Sequence, residues 1–252
     1  MFVDSHTHLL RLEISPEAAI EGAEEAGVLA VVNVGTDLED SQEGAKLAAA
    51  LPNVYSSAGI HPHNAGTYTA AHLEALAELS ESPGIVALGE VGLDYYRGDW
   101  SQEIQRALFE DVVSLANDTR LPLIIHSRKA FADTMGILNR ARVPVVLHCF
   151  EGGESEAREA AERGYYMGLA GNVTYKNIRT AEVLEMIDPE RILVETDAPY
   201  LSPQPVRSKR NEPKYVVHTA AFVAGRIGMG EEELGLLTSR NARNVFSLPL
   251  EI

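Results

Sequence analysis

The sequence predicts a (β/α)8 barrel, the TIM barrel class, and three observations support this. Eight short apolar runs rich in valine, isoleucine and leucine recur along the chain, as is typical of parallel strands buried on both faces. Amphipathic stretches with helical periodicity lie between them. The chain has 252 residues, 45% of them apolar, and no long linker, so we expect residues 1–252 to form a single domain of this class.

Each element follows from its own run of residues. The predicted strands are 2–4 (FVD), 29–34 (LAVVNV), 54–60 (VYSSAGI), 85–90 (IVALGE), 123–126 (LIIH), 143–148 (VPVVLH), 165–169 (YYMGL) and 192–195 (ILVE). The predicted helices are 16–26, 38–51, 70–81, 102–119, 130–140, 155–163 and 181–187, followed by 214–227 and 231–247. The main alternative is a doubly wound open sheet, whose nucleotide-binding form is disfavoured because no GxGxxG follows the first strand.

Charge and composition exclude several classes of protein. The formal net charge of −16 argues against non-specific attraction to nucleic acid or to an anionic membrane, although a phosphorylated substrate remains compatible with a locally positive cleft. We see neither a signal peptide nor an apolar run of roughly 18 residues that could cross a bilayer. Because Cys149 is the single cysteine, no internal disulfide can form, and we expect a cytoplasmic protein.

Polar side chains follow most of the predicted strands, at the strand ends where barrel enzymes hold their active sites. These residues are His6, His8, His61, His63, Glu90, Asp94, His126, His148, Glu195 and Asp197. A single buried histidine after a strand is usually a core residue with satisfied hydrogen bonds. Six of the eight histidines at strand ends, with carboxylates among them, instead indicate a metal site.

The donor types restrict the ion. Imidazole nitrogens and carboxylate oxygens without thiolates suit Zn²⁺, Mn²⁺, Fe²⁺, Co²⁺ or Ni²⁺, and Mg²⁺ if carboxylates dominate. Five or six ligands are too many for one tetrahedral ion and suit two ions about 3.5–4 Å apart with an activated water between them. Glu195 and Asp197 share a face, and Asp197 lies nearer the barrel mouth, so Asp197 is the better ligand and Glu195 the better partner for a ligand imidazole. Cys149 should point away and be an inert thiol.

The motifs together resemble one family. In order they are DSHTHL, GIHPH, GEVGLDYY, IHSR, HCF, ETDAPYL, NEP and NARNVF, and they resemble the TatD family of metal-dependent hydrolases, which belongs to the amidohydrolase-like barrels. The resemblance implies two divalent ions, one held by His6 and His8 and the other by His126 and His148, with Glu90 bridging them. It implies that Asp197 completes the first ion and acts as general base. His61 and His63 would reach the substrate phosphate.

The resemblance also implies an activity. It implies a magnesium-dependent deoxyribonuclease, often 3′→5′ exonucleolytic on single strands, so the expected partner is DNA with single-stranded or 3′ ends. Deacylation of D-aminoacyl-tRNA is also associated with relatives. One departure stands out, because the family usually has RGKRNEP where this chain has RSKRNEP, with Ser208 in place of glycine. If that glycine allows a close backbone approach to substrate, the contact is altered here.

Basic and aromatic residues beside these motifs could contact nucleic acid. The candidates for phosphate contacts are Arg128, Lys129, Arg207, Lys209 and Arg210, with ordinary solvated surface charge as the alternative. Three aromatic residues, Tyr95, Tyr96 and Trp100, could stack on unpaired bases or could simply pack a loop onto the protein.

Two rival functions remain open at this point. The same barrel and metals could hydrolyse an ester or amide, such as an aminoacyl-tRNA, because fold does not determine substrate. A metal-binding scaffold without catalysis is the second rival, and a missing ligand would favour it. All six expected ligand positions are filled. We expect a monomer, since no unusual apolar stretch is left unassigned.

Overall fold

The computed structural model describes residues 1–97 and 100–252 and contains all eight predicted strands. They are β1 (Phe2–Thr7), β2 (Val28–Val34), β3 (Val54–Ala58), β4 (Ile85–Asp94), β5 (Leu123–Arg128), β6 (Val145–Leu147), β7 (Tyr166–Leu169) and β8 (Ile192–Val194). The strands lie in one sheet in chain order, and helical structure follows each strand. The predicted (β/α)8 class, the TIM barrel, is confirmed.

The helices also follow the predicted order. They are α1 (Pro16–Glu25), α2 (Leu38–Ala50), α3 (Ala70–Ser80), α4 (Gln102–Thr119), α5 (Phe131–Leu138), α6 (Glu154–Glu162), α7 (Arg179–Val183), α8 (Val216–Ile227) and α9 (Glu231–Phe246). Side chains of Ser15, Asp37 and Ser101 accept backbone N–H bonds and so begin α1, α2 and α4. No described helix combines the length and the apolar character that crossing a bilayer requires.

Three predicted strands were too short at their ends, whereas the strands predicted at 54–60, 143–148 and 192–195 run one or two residues past the observed ends of β3, β6 and β8. The strands predicted at 2–4, 85–90 and 123–126 continue to Thr7, Asp94 and Arg128. In the last two cases the ladder continues through polar positions, since Asp94 pairs with Arg128 and Gly92 pairs with His126. The polar residues His6, Glu90, Asp94 and His126 therefore lie on the strands themselves.

The chain packs as two compact units. The terminal unit comprises Met1–Asn33 and His148–Ile252, and the central unit comprises Val34–Leu147. In the terminal unit, β1 pairs with β2 and β7 with β8, and Thr7 forms a parallel bridge with Ala198. The side chain of Asn241 on α9 donates to the carbonyls of Pro189 and Ile192, at 2.8 and 2.9 Å. Through Asn241, the NARNVF motif thus links α9 by hydrogen bonds to the start of β8.

In the central unit, β4 pairs with β3 and with β5. Two glycines of β4 permit close backbone contact with β5. Gly89 and Gly92 have φ angles of 148° and 143°, and a Cβ on either would lie 2.4 Å from the carbonyl oxygen of Ile124 or 2.0 Å from that of His126. A side chain has no room at these positions, which explains why glycines flank Glu90.

Candidate metal centre

Five polar side chains of the terminal unit form what we call the terminal cluster: His6, His8, His148, Glu195 and Asp197. All five are buried. The Nε2 atoms of His6 and His8 lie 3.4 Å apart. Asp197 Oδ1 lies 3.4 Å from His8 Nε2, 3.8 Å from His6 Nε2 and 3.9 Å from His148 Nε2. Ligand atoms about 2.1 Å from one ion lie about 3.0–4.2 Å from each other, depending on the angle between them, so separations of 3.4–3.9 Å are compatible with a shared divalent ion.

Glu195 contacts His148 from the other side of the imidazole ring. Its Oε1 lies 2.7 Å from His148 Nδ1 and accepts the backbone N–H of Cys149, also at 2.7 Å. With a proton on Nδ1, Nε2, which lies 3.9 Å from Asp197 Oδ1, would be the nitrogen that could coordinate an ion. The second carboxylate oxygen of Glu195 packs on Gly168, where a Cβ would lie 2.2 Å from it. A glycine is therefore required for Glu195 to occupy this position.

The charge of Asp197 suits a ligand or a base. Burial alone would raise the pKa of the Asp197 carboxyl, but the hydrogen bond from His8 and the charges of His148 and His6 hold it below its usual value. Asp197 therefore carries a negative charge at neutral pH. Its backbone is left-handed, with φ of 54°, a strained conformation of the kind that recurs at functional sites.

The loop that carries Asp197 is held by buried hydrogen bonds. Asp4 on β1 accepts the backbone N–H of Thr196 at 2.8 Å and its hydroxyl at 2.6 Å. Burial raises the pKa of Asp4 to about 8, although the hydrogen bonds from Thr196 oppose the shift. On the other side, the amide of Asn211 donates to the carbonyls of Thr196 and Tyr200, at 2.7 and 2.6 Å. The NEP motif thus has a structural role in fixing the ETDAPYL loop.

The central unit carries a second group of polar side chains, the central cluster: His61, His63, Glu90, Asp94 and His126. Glu90 Oε1 lies 2.7 Å from His126 Nδ1 and 3.6 Å from His61 Nε2. Ligand atoms of these three residues lie within 4.8 Å of one another, as do those of His6, His148 and Glu195 in the terminal cluster. Each cluster offers three donors that could hold an ion.

Asp94 is a site residue to which the sequence assigned no role. Its Oδ2 lies 2.9 Å from His63 Nε2 and 3.3 Å from His126 Nε2. Its Oδ1 accepts the backbone N–H groups of Tyr96 and Arg97, at 2.9 and 3.1 Å. Burial would raise the pKa of Asp94, but these hydrogen bonds hold it well below the usual value. A signal existed in the sequence, because Glu90 and Asp94 are four residues apart on one strand and so share a face.

A buried glutamine supports Asp94, and no pattern in the sequence indicates this contact. Gln105 on α4 accepts the backbone N–H of Asp94 at 2.8 Å and donates to the Asp94 carbonyl at 3.1 Å. The same amide nitrogen donates to the carbonyl of Trp100 at 3.1 Å. One helix residue therefore fixes the end of β4 and the aromatic residue that follows it.

The basic candidates are spread over both units. In the central unit the Arg128 guanidinium lies 4.1 Å from the centre of the Tyr96 ring, and Lys129 follows it with a left-handed backbone. In the terminal unit the Arg207 guanidinium lies 4.1 Å from the Tyr175 ring, and exposed Arg210 pairs with Glu13 at 3.2 Å. Lys209 and Ser208 are exposed. Their substrate contacts stay predictions.

The donor sets define the class of protein to which this chain belongs. Imidazoles and carboxylates without a thiolate, grouped at the strand ends of a (β/α)8 fold, are donors of the kind that metal-dependent hydrolases use. The family model described as TatD related DNase matches residues 3–247. The chain therefore belongs to the TatD family, as the motif resemblance implies.

Individual relatives agree with this assignment. The chain is 35% identical to an uncharacterized metal-dependent hydrolase, YabD, of Bacillus subtilis, over 98% of this chain and 100% of YabD. It is 35% identical to a 3′-5′ ssDNA/RNA exonuclease TatD of Citrobacter rodentium, over 90% of this chain and 89% of that protein. The structure of YJJV, a TatD homologue of Escherichia coli, superposes with a TM-score of 0.91 at 26% identity, covering 98% of both chains.

Proposed function

We propose that this TatD-family hydrolase is a nuclease that removes nucleotides from the 3′ ends of single-stranded DNA, with divalent ions as cofactors. The observation that carries the proposal is the terminal cluster, in which three imidazole nitrogens surround an ionised Asp197. Relatives that are 33–35% identical and bear the name 3′-5′ ssDNA/RNA exonuclease support the choice of substrate. The expected cytoplasmic location and monomeric state belong to this proposal.

We propose residue roles within each cluster. His6, His8 and Asp197 would hold one ion, and Glu90 and His126 would hold another; the further assignments implied by the resemblance, His148 on the second ion and Glu90 bridging, stay predictions. When bound, such ions polarise a phosphodiester and lower the pKa of a coordinated water. Mg²⁺ is the proposed ion for activity, although the imidazole donors also suit Mn²⁺, Zn²⁺, Fe²⁺ and Ni²⁺.

Side chains of the protein would transfer the proton, orient a ligand imidazole and bind the substrate phosphates. Asp197, ionised at neutral pH, would accept a proton from the attacking water as general base. Glu195 would orient His148 through Nδ1. His63 would reach the substrate phosphate through Nδ1, because its Nε2 faces Asp94. His61 is the second proposed phosphate contact, and Arg128, Arg207, Lys209 and Arg210 would contact neighbouring phosphates.

The test compares two substrates on one metal-loaded preparation. A 5′-labelled single-stranded oligonucleotide and a D-aminoacyl-tRNA are each incubated with Mg²⁺ or Mn²⁺. We expect stepwise shortening of the oligonucleotide from its 3′ end. Cleavage of the acyl ester alone would overturn the nuclease assignment in favour of a deacylase. Metal binding without turnover of either substrate would favour a scaffold.

A further inference from the structure

We propose that Tyr96 and Trp100 form a stacking surface for unpaired nucleobases next to the central cluster, with Arg128 supplying its positive charge. This inference rests on the proposed nuclease function and extends it to the contact that selects single strands. A base can stack on an aromatic side chain only when it is not paired within a duplex.

Both aromatic residues are exposed although they are large and apolar. Tyr96 is 62% exposed and Trp100 is 38% exposed. An aromatic residue whose only role is to pack a loop onto the protein buries its ring, because burial of that apolar area is what stabilises the loop. The exposure of Tyr96 therefore favours a role in binding over a role in packing, and Trp100, although it packs on residue 66, keeps more than a third of its surface accessible.

Hydrogen bonds attach both residues to the central cluster. The backbone N–H of Tyr96 donates to Asp94 Oδ1 at 2.9 Å, and the indole N–H of Trp100 donates to the carbonyl of His63 at 2.8 Å. Asp94 and His63 in turn contact each other at 2.9 Å. Bases stacked on these rings would thus belong to nucleotides whose phosphates lie near His63, the proposed phosphate contact.

The indole ring rests directly on backbone. A Cβ at Gly66 would lie 2.3 Å from two carbon atoms of the Trp100 ring, so the ring can occupy this position only because residue 66 is glycine. A ring supported in this way loses little conformational freedom when a base stacks on it, and such preorganisation favours binding. Gly66 therefore offers a way to displace the ring without removing it.

Arg128 adds a cation to this surface. Its guanidinium carbon lies 4.1 Å from the centre of the Tyr96 ring, within the range of a cation–π contact. A chain with net charge −16 needs local positive charge to attract a polyanion. Planar guanidinium groups also bind phosphate oxygens, so the pair offers stacking and charge at one place.

The chain contains one tryptophan, so indole fluorescence, excited selectively over that of the nine tyrosines, reports on this surface. The metal-loaded protein is titrated with a short oligothymidylate protected by phosphorothioate linkages, and with a matched strand whose sugars lack bases. We expect the first strand to quench the emission of Trp100 and to bind about 5- to 150-fold more tightly than the second. Equal quenching and equal affinity for the two strands would overturn the proposal.

Single substitutions show which side chains are responsible for the binding of bases. Tyr96→Ala should weaken oligothymidylate binding about 5- to 150-fold, and Tyr96→Phe should restore it because the ring is kept. Gly66→Ala should reduce the quenching while keeping both aromatic rings. The control is Tyr166→Ala, which removes a ring under Arg191 at the start of β7 and should leave binding unchanged. Unchanged affinity in Tyr96→Ala would contradict the stacking role.

This experiment separates two kinds of failure, because it measures binding and not cleavage. If the nuclease function is wrong, the wild-type protein will not shorten an unprotected strand. If only the stacking surface is wrong, that strand will be shortened while strands with and without bases bind equally.

Discussion

Replacing Asp94 by alanine should weaken metal binding although Asp94 is not among the proposed ligands. The change removes the carboxylate that faces Nε2 of both His63 and His126 and that accepts two backbone N–H groups. A proton held on His126 Nε2 leaves Nδ1, 2.7 Å from Glu90, as the coordinating nitrogen. Loss of such a positioning partner typically lowers metal affinity 10- to 100-fold, about 1.4–2.7 kcal/mol.

The assay is a calorimetric titration of metal-stripped protein with Mn²⁺, together with circular dichroism to verify the fold. Asp94→Asn provides a graded comparison, since an amide has one acceptor oxygen where the carboxylate uses two. The matched control is Asp133→Asn, because Asp133 accepts bonds from Tyr95 and Arg106 in the same unit without contacting the central cluster. Mn²⁺ affinity within twofold of wild type in folded Asp94→Ala would contradict a positioning role for Asp94.

Three further predictions concern the terminal unit. Gly168→Ala should lower the unfolding free energy by about 1–3 kcal/mol and weaken Mn²⁺ binding, because the added Cβ would displace Glu195 from His148. Thermal unfolding and Mn²⁺ titration measure the two effects. Gly225→Ala on α8, where a Cβ would meet open space, is the control in both assays. Cys149 should react slowly with iodoacetamide at pH 8.5 until urea unfolds the chain, because burial and the charges of Asp197 and Glu195 raise the pKa of its thiol. Rapid reaction of the native protein would contradict this prediction. Asn211→Ala should reduce turnover even at temperatures where thermal unfolding shows the variant to be folded, since the lost hydrogen bonds fix the loop carrying Asp197. Equal turnover of the folded variant and wild type would contradict this prediction.

The sequence predicts the fold class well because its signal is repeated eight times along the chain. Each apolar run is weak alone, but alternation with helical periodicity is typical of few folds. Strand ends were predicted less well, since the polar residues at those ends interrupt the apolar pattern while the backbone ladder continues through them. Asp94 lies on β4 for this reason, and its role follows from the positions of His63 and His126, which are distant in sequence.

Contacts between side chains that are distant in sequence were beyond prediction. The ion pair of Arg210 with Glu13 joins residues nearly 200 positions apart, and no local pattern indicates it. The contacts of Gln105 are equally hidden, because a polar residue on an amphipathic helix normally faces solvent. By contrast, the closeness of His6 and His8 was predictable, since residues two apart share a face in extended chain and His8 directly follows the last residue of β1.

Metal-dependent catalysis through Asp197 is tested by following 3′-nucleotide release from a single-stranded oligonucleotide by wild type and Asp197→Asn, each stripped with chelator and then titrated with Mg²⁺ or Mn²⁺. We expect wild type to be inactive when stripped and to regain activity with added ion. The folded variant should lose at least about 100-fold of that activity, because a general base typically contributes 10²–10⁴-fold. Release by stripped protein, or near-normal rates in Asp197→Asn, would contradict the account.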